Sequence, residues 1–133
     1  MAIRIVRLGT PRAAGEGLRL GTVRRPPRGV PKAKFAVRNF YDVWLPELAP
    51  SDRLVKLAQR ATDAAAWKAF VRGYRRELTQ PGASRLLDLL AALSHHTDLS
   101  VGCYCEREDQ CHRSVLRVLL TQRGAKIIPA ASS

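Results

Sequence analysis

The stretch from Asp98 to Ile128 constrains the fold more than any other part of this 133-residue sequence. Leu99-Ser100-Val101-Gly102-Cys103 is a short run of apolar and small residues that reads as a buried strand. A polar, acidic turn follows from Glu106 to Gln110. A helix is then predicted from about Cys111 to Arg123, because Val115, Leu116, Leu119 and Leu120 recur at helical spacing and Gly124 suits the position just past a helix end. Ala125 to Ile128 offers one more strand. Strand, turn, helix and strand in this order imply a right-handed βαβ unit, hence a parallel sheet with helices on its faces. The expected class is therefore α/β: a small three-layer fold with a mainly parallel sheet and flanking helices.

The rest of the chain agrees with that class. Ile3 to Leu8 alternates as a first strand and ends at the Gly9-Thr10-Pro11 turn. Leu18 to Arg24 offers a second strand. The segment Arg24-Arg25-Pro26-Pro27-Arg28-Gly29-Val30-Pro31 reads as a loop, because its prolines lack amide donors. Residues 35–50 match neither period clearly. Ser51 is placed to cap a helix running to about Arg60. A second helix should begin near Thr62 or Asp63, with Trp67, Phe70, Val71, Tyr74 and Leu78 on one face. Gln80-Pro81-Gly82 should stop it, and Ser84 should cap a leucine-rich helix through Leu93. One domain over residues 1–128 is expected, with 129–133 as a disordered C-terminal tail.

No apolar run approaches the ~18 residues needed to cross a bilayer. The N-terminus reads as a strand, with no apolar stretch of the kind a secretory signal needs. Three cysteines confined to nine residues do not resemble a secreted disulfide framework. Reduced thiols in the cytoplasm are expected.

The net charge is +12. Residues 1–40 carry ten of the basic side chains and a single acid, Glu16. This balance favours an anionic partner, either a small molecule or nucleic acid. An arginine-rich composition inherited from a GC-rich genome would look the same. Aromatic residues make up only 6% of the chain, and the Trp67 to Tyr74 set reads as core, so a base-stacking platform is not expected. Nucleic acid would have to be held by backbone charge alone.

The concentrated chemistry lies between Cys103 and Arg113. In open parallel sheets, ligands sit beyond the carboxyl ends of the strands, where helix N-termini point. Cys103 would end a strand there, and Cys111-His112-Arg113 would open the next helix. Read as packing alone, the cysteines would be small buried hydrophobes and His112 a turn hydrogen-bonder. Read as a site, Cys103 is the candidate nucleophile or redox thiol, and His112 shuttles or orients protons. Arg28 and Arg113 would hold an anion. A zinc or iron site could instead draw on Cys103, Cys105, Cys111 and His112. Against a metal stands the adjacency of residues 111 and 112, whose side chains would diverge by roughly 100° at a helix start. There is no Cys-x-x-Cys, so dithiol exchange would rest on Cys103-x-Cys105 or on Cys111. A Cys-x5-Arg phosphatase loop fails from Cys103 and Cys105, and from Cys111 it would run through helical sequence.

These residues also carry a resemblance. Cys103 followed by Cys111-His112-Arg113 and Ser114-Val115-Leu116 resembles the Cys…Cys-His-Arg signature of the domain-of-unknown-function 488 family. Arg28-Gly29-Val30-Pro31-Lys32, the segment from Trp44 to Ser51, and the helix with Trp67, Phe70, Tyr74 and Glu77-Leu78 resemble its short stand-alone branch, in colinear order over roughly residues 3–124. The resemblance implies a small α/β fold with a site and no agreed activity. Because the matching segments contain them, Ser51 and Arg75 join the candidate substrate-binding residues. Two positions depart from the pattern. Val23-Arg24-Arg25-Pro26 stands where the branch has Asp-Arg-Leu-Trp, and Cys105 stands where much of the family has a glutamate. The second change removes an acid that could act as a base and leaves a thiol in its place. The expected function is a small cytoplasmic enzyme or ligand-binding protein for an anionic ligand, phosphorylated molecules among the options. A nucleic-acid-binding module is the alternative, and neither oligomeric state nor a required cofactor is legible.

Overall fold

A computed structural model describes residues 1–129, so the tail expected at 129–133 lies outside the described residues apart from Pro129. Four strands, β1 (Ile3–Arg7), β2 (Leu18–Gly21), β3 (Val43–Trp44) and β4 (Leu99–Cys103), form one sheet in the order β1-β4-β2-β3. Every pairing in it is parallel. The α/β class with a parallel sheet is thus the one observed. Four helices accompany it: α1 (Asp52–Arg60), α2 (Ala64–Glu77), α3 (Pro81–Leu93) and α4 (His112–Gln122).

Local chemistry explains the boundaries. Ser51 accepts the Leu54 amide at the start of α1, and Asp63 accepts the Ala66 amide at the start of α2, which satisfies donors that a helix start leaves open. Gln80-Pro81-Gly82 does more than stop α2. Pro81 is the first residue of α3, where its missing N–H costs nothing, so Ser84 lies inside the first turn and caps nothing. Gly124 follows α4 at φ +83°. The strand expected at Ala125 to Ile128 shrinks to one parallel bridge between Ile127 and Ile3 on the outer side of β1, with Ile3 N donating to Lys126 O and Ile128 N to Ile3 O. The chain therefore returns beside β1 and not beside β4. The ambiguous residues 35–50 hold the two-residue strand β3 and a 3-10 turn at Pro46–Leu48.

The two faces of the sheet are treated differently. Ile3, Leu20, Leu99 and Val101 point to one side and join Leu54, Phe70, Tyr74, Leu87, Leu116 and Leu120 from all four helices in one buried cluster. On the other side the segments that flank β2, residues 9–17 and 22–42, form the cover. Ser100 donates from the sheet to Glu16 Oε1 at 2.9 Å, and Glu16 pairs with Arg19 at 2.7 Å, both side chains being almost fully buried. Tyr41 lies over Gly21, where a Cβ would come within 2.3 Å of its ring. Gly17 is constrained more severely, because its φ is +75° and a Cβ would meet the Asp98 carbonyl oxygen at 2.0 Å. Among the described residues no helix is long and apolar enough to cross a membrane.

Candidate functional site

All four strands run the same way, so their carboxyl ends share one edge. Beyond that edge, past the central strands β2 and β4, lies a cavity of about 400 Å³. Its floor is Cys103, Cys105, Cys111 and His112, from the end of β4 and the start of α4. Its walls include Val23, Val55, Ala58, Trp67 and Phe70, and Arg24 and Arg25 line it just past β2.

The floor is tightly organised. Cys103 and Cys111 are buried, and Cys105 is exposed. Cys103 Sγ donates to Cys105 Sγ at 3.7 Å. Cys111 is the residue before α4, with an extended backbone (φ −135°, ψ 155°), and its Sγ lies 3.7 Å from His112 Nδ1. The helical divergence assumed for positions 111 and 112 therefore does not apply, since only His112 is helical. His112 Nε2 lies 2.7 Å from the Thr22 carbonyl oxygen. A carbonyl only accepts, so Nε2 carries the proton and, in the neutral ring, Nδ1 presents a lone pair to the sulfurs. Thr22 Oγ1 is spent on the Gly102 carbonyl at 3.0 Å, and Tyr74 packs edge-on against the imidazole at 5.5 Å.

Arg113 is almost fully buried, yet it belongs to none of the ion pairs among the described residues. Its Nε donates to Cys111 Sγ at 3.4 Å and one Nη to the Cys105 carbonyl at 2.7 Å. A guanidinium removed from water needs compensating negative charge, and sulfur is what faces it. The thiols differ accordingly. The neighbouring Cys103 thiol holds Cys105 and Cys111 below the ordinary thiol range, with the Arg113 charge adding to the effect at Cys105 and His112 at Cys111. Cys103, which donates its one proton to Cys105, faces both sulfurs and is buried, is pushed up.

The structure thus brings Cys103, Cys105, Cys111, His112 and Arg113 together. It does not bring the other candidates to them. Arg28 is exposed and lies outside the cavity lining, Ser51 is occupied as the cap of α1, and Arg75 lines a separate depression with Arg76 and Arg123. Sequence reasoning missed Thr22, Arg24 and Arg25. The pair before Pro26-Pro27 carried a signal, since it stands in the same basic loop as Arg28. Thr22 carried none, because its partner is ninety residues away.

The fold and floor define a parallel α/β protein with a cysteine–histidine–arginine cluster at the carboxyl edge of its sheet. The chain belongs to the DUF488 family: the family model described as "Active DUF488-N3 subclade" matches residues 3–124. No curated protein and no solved structure matches it.

Proposed function

We propose that this protein binds a small anionic molecule in the cavity and that the Cys103/Cys105/Cys111/His112 floor, charged from behind by Arg113, acts on it. The observation that carries the reading is the continuity of one cavity of about 400 Å³ from that floor to Arg24 and Arg25. Apolar walls with a few convergent polar groups are the usual make-up of a small-molecule site. The ligand's body would lie against Trp67 and Phe70, its anionic group toward the two arginines, and its reacting group on the sulfurs and imidazole. Arg24 donates to the Ala49 and Pro50 carbonyls and is half-buried, whereas the ion pair of Arg25 with Asp52 is exposed to solvent, so Arg25 is the one that can exchange its partner for a ligand. The description of the subclade as active supports an enzyme. A panel of phosphorylated and carboxylated metabolites, followed by thermal shift, tests this. A ligand at one hundred times its Kd should stabilise the fold by about 2.7 kcal/mol. Arg25→Glu should weaken that ligand by about ten- to a hundredfold, the worth of a charge-assisted hydrogen bond. A panel without a hit, or a hit indifferent to Arg25→Glu, would count against the reading.

A second reading, nucleic acid held by charge, is favoured by one feature: Arg25, Arg28, Lys32, Lys34 and Arg38 are all exposed within fourteen residues of each other. Duplex binding through these five side chains should follow a log–log salt slope of about −4.5 and so weaken by about 500-fold between 50 and 200 mM salt. Fluorescence anisotropy with a short duplex measures this, and a flat salt profile rejects it.

A further inference from the structure

We infer that Cys103, Cys111 and His112 form a binding site for one thiophilic divalent cation of the zinc class, with its fourth coordination position on the side of Cys105 and the cavity. The inference deepens the proposed function and rests on it only for what the metal would act upon; the site itself stands on separate geometry. The donor atoms of the three residues all lie within 4.8 Å of one another, and all three residues are buried. With Zn–S near 2.3 Å and Zn–N near 2.0–2.1 Å, a tetrahedron around zinc has sulfur–sulfur edges of about 3.8 Å and sulfur–nitrogen edges of about 3.6 Å. Cys111 Sγ and His112 Nδ1, two donors of the set, are 3.7 Å apart. Cys105 Sγ lies 3.7 Å from Cys103 Sγ, one such edge away on the side of the fourth position.

The surroundings of the donors point the same way. A ligating histidine characteristically donates its other ring N–H to a backbone carbonyl, which fixes the ring and bares the ligating nitrogen. His112 does this through Nε2 to Thr22 O at 2.7 Å, with Tyr74 against the ring. The Arg113 N–H on Cys111 Sγ is the kind of hydrogen bond that steadies a thiolate ligand. The charges also close. A divalent cation with two thiolates is neutral, and Arg113 then leaves one positive charge. Either the Cys105 thiolate or an anionic ligand entering from the cavity balances it. Two cysteines, one histidine and an open fourth position are the ligand set of a catalytic zinc, where the cation polarises whatever occupies that position. Cys105, exposed and lining the cavity, is the group such an occupant would displace.

The test uses the whole chain, reduced and stripped with a chelator, and zinc alone as the probe. Titration followed by native mass spectrometry should give one ion per chain, and binding should release protons and raise the Tm. Cys103→Ser and His112→Gln should each weaken zinc by at least a hundredfold, whereas Cys105→Ser should still take up one ion. Cobalt(II) in the wild-type protein should show the intense visible bands of four-coordinate thiolate ligation, a readout that needs no variant to fold. Less than stoichiometric zinc on the wild type with its thiols verified as free, or cobalt bound without thiolate bands, would overturn the inference. So would undiminished zinc on Cys103→Ser. Screening the ligand panel on both metal-free and zinc-loaded protein separates the two claims. Zinc uptake with no ligand found sustains the metal site and removes the proposed function. Ligand binding with no zinc uptake does the reverse.

Discussion

Replacing Arg19 with methionine should destabilise the protein by about 3–5 kcal/mol, the cost of removing one partner from a buried ion pair. Arg19 is 1% exposed. Its Nε donates to Glu16 Oε1 at 2.7 Å, and its other nitrogens to Glu16 Oε2 and the carbonyls of Thr10, Pro11 and Asn39. Methionine fills much of the space but leaves a carboxylate in the interior facing only the Ser100 hydroxyl and the Ala13 amide. The carbonyls of Thr10, Pro11 and Asn39, which tie the segments on either side of β2 to it, lose a donor at the same time. Against a total of about 5–15 kcal/mol for an ordinary domain, this is a large share. Urea unfolding at pH 7 measures it, and a loss below about 1 kcal/mol would mean that the pair is not held as described.

The same pair sets an acid limit. Burial pushes the Glu16 carboxyl up, but the hydrogen bonds from Arg19, Ala13 and Ser100 and the guanidinium charge outweigh it and hold the group below its ordinary value. Its folded pKa is therefore lower than its unfolded value of about 4.3, so the stabilisation is complete above that value and is lost as pH falls through the folded pKa. Asp42, held down by Arg12 and the Arg19 amide despite its own burial, adds in the same direction. Glu16→Gln should flatten the stability curve in this acid window.

The second large effect is expected at Tyr74. Its side chain is fully buried in the helical core, stacks on Phe70 at 5.9 Å and meets His112 edge-on, and its hydroxyl donates to the Leu48 carbonyl. Tyr74→Ala should cost about 3–5 kcal/mol, as truncation of a buried aromatic to a cavity does. Tyr74→Phe removes only the hydroxyl and leaves a buried carbonyl without its donor, so about 1–3 kcal/mol is expected. The two variants separate packing from hydrogen bonding. If the imidazole is positioned from this side, Tyr74→Ala should also broaden the His112 ring resonances in NMR spectra while Tyr74→Phe leaves them sharp.

Periodicity made the regular elements legible. The α2 stripe Trp67, Phe70, Tyr74 places Phe70 and Tyr74 in the core, and the β4-to-α4 sequence places Cys103 and Cys111 across one turn from each other. Short strands were harder. Val43–Trp44 is held by two residue pairs with β2, and Ile127 by one bridge, so pairing and not local preference makes them strands. At the site, the clustering of three cysteines with His112 and Arg113 in eleven residues was readable as chemistry. Which of them meet was not, because the answer turned on the extended backbone at Cys111 and on Thr22 arriving from the far end of the chain.

By itself, then, the sequence determined the class of fold and the segment that carries the chemistry, because hydrophobic period and local composition are properties of neighbouring residues. Only the tertiary structure decided which arginines face the cavity, which histidine nitrogen is bare, and that the buried charge of Arg113 is answered by sulfur. The first two depend on β2 and the residues after it meeting β4 and α4, eighty to ninety positions further along the chain, when the parallel sheet aligns their ends. The third depends on how the turn between β4 and α4 folds, since Cys111 and Cys105 stand only two and eight residues from Arg113.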